Sequence, residues 1–430
     1  MSLTDGVLAI DGTSGLFGLV DYIDPQYAAM IANGGNADTP LPLSLQDGYA
    51  FSVLQLQSLF INAKMQSFSS KIQLSLESVL GGTIKTTTFG GVTQACNGIV
   101  LNGSAVQQNG TTVYVFEQNQ QTVFTVDTAV LNAVTINRMQ FNTLGVRSEN
   151  WPSGTQDTVL SRFLIWGVLN FLCLTDKADK NFDILSFGND AAENISDGLA
   201  FSNLQIMMNF PVATPAVLRF SDSVADLTFD LTCSTVRDGS LFKGFSLQLQ
   251  NFIVADTKKM PADYGYLQVS ASDLRLCTLT PGAWQGIVYK INMGTPGTLV
   301  SAAGFTSTLL VAWGTGASGA KDTLPVYIGL QLPGAAPNAS MFSLQGVFKV
   351  STGPIFLKQQ TSPSQPDKAY FSLCLSNIGV KIFGITKLPP DATIQFFLFG
   401  DPDGNGSLGW YAAYVKKQSS SDHAALESVS

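Results

Sequence analysis

The chain has 430 residues, 45% of them hydrophobic and 13% charged, and a net charge of −8. So much apolar content with so little charge excludes intrinsic disorder over most of the length, because disorder needs the opposite balance. The pI of about 4.7 argues against nucleic-acid binding, which needs clustered Lys and Arg to displace counterions. The length suits about two or three domains. With charge at about half the usual share, solubility rests on Ser, Thr, Asn and Gln, or on a partner that covers part of the surface.

Residues 1–63 hold six Asp and no Lys or Arg. They read as solvated loop positions, or less readily as a docking segment for a basic partner. No basic n-region of a secretory signal precedes the first apolar residues. A short helix is expected where Asp24 caps, Pro25 takes the first turn, Gln26 to Ala32 form the body and Asn33-Gly34 stop it.

Beyond that point strict two-residue alternation dominates, the mark of half-buried strands. Ile72, Leu74 and Leu76 share one face. Leu227, Phe229, Leu231 and Cys233 do the same, as do Phe245, Leu247 and Leu249. Turn pairs separate such runs: Asn109-Gly110, Asp238-Gly239, Pro333-Gly334 and Asp403-Gly404. Asp157 to Leu174 fits either a buried strand or a buried helix, and its Phe, Ile, Val and Trp favour strand. It contains the longest apolar stretch, Phe163 to Leu174, which is far short of the ~20 residues of a spanning helix. The expected fold is therefore all-β: antiparallel β-sandwich or curved-sheet domains built from long bulged strands, with minor short helices.

Two features recur. Asp47 to Leu56 matches Asp197 to Ile206 at seven of ten positions, as an old duplication would. The apolar phase also slips inside strands at Ser202-Asn203, Gln250-Asn251 and Ser376-Asn377. One extra residue keeps a single face buried across such a slip, so a β-bulge is expected at each. The turn-rich stretch 148–157 is taken as a junction. It gives an N-terminal β-rich domain over 1–150, a C-terminal β domain over 156–415 and a disordered tail over 416–430. The polar stretch 359–368 is read as a loop inside the second domain.

Conventional catalytic chemistry is scarce. The single histidine, His423, falls in the tail, so Ser–His–Asp, Cys–His and HExxH arrangements lack their imidazole. Five cysteines (96, 173, 233, 277 and 374) lie at least 44 residues apart and form no CxxC. They are expected as buried free thiols, with Cys233 and Cys374 on apolar strand faces. Gly314 to Gly319 matches GxGxxG, but no helix follows to meet a pyrophosphate, so a glycine-rich turn is expected and no cofactor. Asp401, Asp403, Asn405 and Ser407 resemble the start of a calcium loop, with Gly406 at the sixth position. The twelfth position, where a closing Glu belongs, is Ala412, and a hairpin loop explains the same residues.

By exclusion the chain reads as a non-enzymatic β scaffold acting in protein–protein assembly, with itself or with another protein. The alternatives are binding or transfer of lipid or another apolar ligand in a curved β groove, and a carboxylate-based carbohydrate-active enzyme.

Overall fold

The computed structural model describes residues 2–4, 7–9, 17–46, 48–62, 64–89, 91–96, 98–128, 130–175, 181–182, 185–188, 197–214, 217–237, 247–255, 258–270, 276–282, 284–292, 306–314 and 325–331, together with the strands beyond residue 340 as backbone. In chain order these form β1 (Ser2–Thr4), β2 (Val7–Ala9), β3 (Phe17–Ile23), β4 (Phe51–Ile61), β5 (Lys64–Leu74), β6 (Thr83–Phe89), β7 (Val92–Cys96), β8 (Ile99–Gln108), β9 (Thr111–Glu117) and β10 (Phe124–Asp127). Next come β11 (Leu131–Trp151), β12 (Gly154–Phe171), β13 (Leu174–Thr175), β14 (Asn181–Phe182), β15 (Leu199–Pro211), β16 (Arg219–Ser223), β17 (Thr228–Asp230), β18 (Leu247–Val254), β19 (Leu267–Ser270) and β20 (Trp284–Asn292). The rest are β21 (Thr306–Gly314), β22 (Tyr327–Gln331), β23 (Met341–Leu344), β24 (Phe348–Ser351), β25 (Ile355–Thr361), β26 (Ala369–Ile382), β27 (Thr386–Leu388), β28 (Ala392–Gly400) and β29 (Gly409–Lys416). Two short helices, α1 (Pro25–Ala32) and α2 (Glu77–Leu80), interrupt them. The protein is all-β, and its sheets are antiparallel apart from one parallel contact, β19 with β25.

Two compact units divide the chain: Met1–Leu172 with Phe187–Arg237, and Cys173–Ser186 with Asp238–Ser430. The stretch 148–157, expected as a junction, lies within the first unit. It is the tip of the β11–β12 hairpin, in which Trp151 pairs with Gly154. Polar turn residues serve a hairpin tip as well as a linker, so composition alone does not separate the two.

In the first unit the sheet runs β16-β15-β12-β11-β9-β8-β5-β4-β3. β4 and β12 stand five strand steps apart, about 24 Å in a flat sheet. Yet the Phe51 ring of β4 lies 5.5 Å from the Phe163 ring of β12, and Tyr49, just before β4, stacks at 5.7 Å on Phe220 of β16. The sheet therefore curls until its inner face meets itself. Met139, Phe163, Ile165, Ile206, Ile72 and Leu74 are buried there.

Bulges supply part of the bending. Leu204 pairs with Ile165 and Phe201 with Gly167, so Ser202 and Asn203 oppose the single residue Trp166. Asn203 takes a left-handed φ of 64°, which Asn tolerates better than most residues. Gln250 is the extra residue of β18, between Leu249 and Asn251. Both bulges stand where the apolar phase slips. The third slip differs: β26 pairs with β28 without a shift across Asn377, as Ser376 faces Phe396 and Ile378 faces Ile394. On its other side β26 keeps one register with β25 and β24, Ile355 facing Leu375 and Ser351 facing Gly379. Neither ladder gains a residue across Ser376-Asn377, which corrects the bulge expected there.

Local signals hold where they were strong. The Asp24 carboxylate accepts from the Gln26 and Tyr27 amides at 2.8 and 3.0 Å, which caps α1. Asn109 and Gly110, with φ of 50° and 77°, form the two-residue turn between β8 and β9. The near-repeat places Gly48 and Gly198 alike: both have positive φ, and both precede a long bulged strand, β4 or β15. The strand expected over 227–233 is shorter. Asp230 turns its carboxylate onto the Thr232 amide at 2.9 Å and ends β17. Leu231 and Cys233 are consequently exposed, which corrects the expectation of a buried Cys233 thiol. Cys96 and Cys277 are buried, the Cys96 thiol donating to the Pro40 carbonyl at 3.3 Å, and Cys173 is half-buried.

The second unit orders its strands β18-β20-β21-β22-β19-β25-β26-β24-β23. A cluster of Trp284, Val288, Leu310, Ala312, Tyr266 and Tyr327 is buried against Cys277. Burial pushes the Cys277 thiol up to about 11, which makes it an inert apolar side chain at neutral pH.

Candidate functional site

The calcium-loop candidates Asp401, Asp403, Asn405 and Ser407 lie outside the described residues. Their flanks are strands, β28 and β29, paired through Gly400 and Gly409, in contrast to the two helices that flank an EF-hand loop. Gly314 ends β21, and the rest of its glycine run is likewise outside, as is His423. Among the described residues no three His, Cys, Asp or Glu side chains gather as a metal-ligand group.

The polar groups that the first unit does bring together are joints. Lys71 Nζ meets Asp38 Oδ1 at 2.9 Å and also donates to the Ala37 carbonyl at 3.1 Å. Asn119 Nδ2 and the Thr122 hydroxyl donate to Asp38 Oδ2 at 2.7 and 3.3 Å. Burial alone would raise the Asp38 pKa. The hydrogen bonds from Lys71 and Asn119 and the charge of Lys71 outweigh it and hold the carboxyl below its ordinary value. Gln73, fully buried, accepts from the Leu41 amide at 2.8 Å and donates to the Leu41 carbonyl at 2.6 Å. Its side chain thus replaces a strand partner and fastens the segment before β4 across β5. Neither joint carries a sequence signal, since each spans more than thirty residues.

Away from the buried core, Arg138, Gln140 and Asn142 of β11 form a hydrogen-bonded ladder, with links of 3.4 and 2.9 Å. Arg138 lies 5.5 Å over the Trp166 ring. Arg162 of β12 reaches Gln205 at 3.4 Å, and Gln205 donates to Asp226 at 2.7 Å. These side chains mostly satisfy one another, although the Nε donors of both arginines are buried without an acceptor.

Among the described residues, exposed apolar side chains gather on β3. Its seven residues, Phe-Gly-Leu-Val-Asp-Tyr-Ile, pair with β4 along one edge, and among the described residues no strand pairs with the other. Phe17 and Leu19 are 66% and 63% exposed, and Val20, Tyr22 and Ile23 are also exposed. Apolar side chains therefore reach solvent on both faces of the strand. Edge strands are usually blunted by Lys, Pro or an inward charge. Here Asp21 is the one charged residue and no Lys or Pro occurs.

The ladder fixes which backbone groups are free. The Asp24 amide donates to the Leu54 carbonyl at 2.9 Å, and the register runs unshifted from Ile23–Gln55 to Phe17–Ile61. Backbone direction alternates along an antiparallel strand. Gly18, Val20 and Tyr22 therefore turn their N–H and C=O groups to β4, as Asp24 does, and Phe17, Leu19, Asp21 and Ile23 turn theirs outward. Sequence periodicity alone could not single out this run, because its exposure depends on which strand lies beside it.

No protein-family model, curated protein or solved structure matches the chain.

Proposed function

We propose that the chain is a β scaffold that works in protein–protein assembly and accepts a further strand at the free edge of β3. The observation that carries this reading is the outward row of Phe17, Leu19, Asp21 and Ile23 backbone groups, flanked by exposed apolar side chains. An added strand satisfies those groups and covers the side chains on both faces, which is how strand addition gains affinity. The low charge of the chain fits a surface that meets protein, because charge is depleted at the core of protein interfaces.

Leu19→Pro tests it. The substitution removes an outward N–H and leaves the ladder to β4 in place, since Pro is tolerated on an edge strand. Sedimentation across the micromolar range, together with binding of a lysine-flanked peptide of residues 17–23, reads the edge. The expected result is association or peptide binding by the wild type and loss of both in a folded Leu19→Pro variant. A wild type that stays monomeric and ignores the peptide would overturn the proposal.

A further inference from the structure

We infer that the strand added at β3 is β3 of a second copy, antiparallel and centred on Val20. The inference rests on the edge reading above and adds the occupant and the register.

The free edge is complementary to itself. A two-fold axis at Val20 sets Leu19 opposite the partner's Asp21 and Phe17 opposite the partner's Ile23. Those are the four residues whose backbone groups face outward. Each of the four facing pairs exchanges two N–H···O=C bonds, about eight in all. Every outward group of the strand is then used. Val20 faces its own copy at a non-hydrogen-bonded site, where side chains approach closest.

The side chains fit the same axis. Gly18 falls opposite the partner's Tyr22, so the aromatic ring covers the position that lacks a side chain. Phe17 and the partner's Ile23 form an aromatic–aliphatic cross-strand pair. The two Asp21 carboxylates sit diagonally, each beside a Leu19. An axis at Asp21 would instead bring like charges directly opposite, which is unfavourable. An axis at Leu19 would leave the Ile23 groups outside the pairing of the two seven-residue strands. The symmetric pairing is closed, so it gives a dimer and not a fibre.

Single cysteines read the register in a Cys233→Ser background, which removes the exposed native thiol. At a non-hydrogen-bonded site the facing Cβ atoms lie within reach of a disulfide. Under mild oxidation Val20→Cys is expected to give a covalent dimer, twice the 45.8 kDa chain. Leu19→Cys and Asp21→Cys are expected to stay uncoupled alone and to couple when mixed. Coupling of either one alone, with none at Val20→Cys, would overturn the register. Association that Leu19→Pro abolishes, with no coupling by any of these cysteines, would overturn the self-pairing and leave the edge reading standing. Loss of wild-type association and of peptide binding would remove both.

Discussion

Tyr49 donates its hydroxyl to Asp222 Oδ1 at 2.7 Å, across 173 residues of chain. The bond ties the residue before β4 to the edge strand β16, seven strand steps away in the sheet. It lies beside the Tyr49–Phe220 stack and helps to keep the sheet curled. Burial first, and the Asp222 charge second, hold the phenol protonated well above its ordinary range, so it stays a donor at any working pH. Tyr49→Phe keeps the ring and removes the donor. It should lower stability by about 1–2 kcal/mol in urea unfolding, and an unchanged midpoint would contradict this role.

The Asp38 joint makes stability depend on acid. Its folded pKa lies below the unfolded value, so the gain is present above about pH 4 and is lost as pH falls through the folded pKa. Asp38→Asn should flatten this acid loss in a series of unfolding curves. Glu77 has the opposite sign. Burial raises its pKa, and its Oε2 has no hydrogen-bond partner, so its ionised form opposes folding as pH rises through the folded value. Glu77→Gln should therefore stabilise the protein at pH 7 and have little effect at pH 3.

Gln73→Leu should cost more than most surface changes. It leaves the buried amide and carbonyl of Leu41 without their partner, a penalty of about 2–3 kcal/mol or more. Gln73→Glu, which keeps an acceptor for the Leu41 amide but places a charge in the core, should be worse still. Thermal unfolding of the two variants ranks them.

The β15 bulge depends on the left-handed Asn203. Asn203→Gly should be nearly neutral, and Asn203→Val should cost about 1–2 kcal/mol for its Cβ and branched side chain. Equal stability of the two would contradict a bulge set by backbone conformation.

What could be read along the chain was what local chemistry decides. The Asp24 cap, the Asn109-Gly110 turn and the bulges at Asn203 and Gln250 each follow from a few neighbouring residues. Asn377 shows the limit of that reading, since the apolar phase slips there although the ladders on both sides of β26 keep their register. Asp230 shows another limit, because its side chain captured the Thr232 amide and ended a strand whose alternation continued. Asp38–Lys71, Gln73–Leu41 and Tyr49–Asp222 join distant segments and leave no periodic trace. The β3 edge was hidden for the same reason: Phe17 to Ile23 looks like any apolar strand until it is seen to pair, among the described residues, with β4 alone.

Amide hydrogen exchange along β3, resolved to single residues and repeated over a range of protein concentrations, tests the assembly edge most directly. Val20 and Tyr22 donate toward β4, so their protection should not depend on concentration. Leu19, Asp21 and Ile23 should exchange fast when dilute and slow together as the protein associates. Outward amides that stay fast at every concentration, while the protein is seen to associate, would place the interface elsewhere and contradict the account.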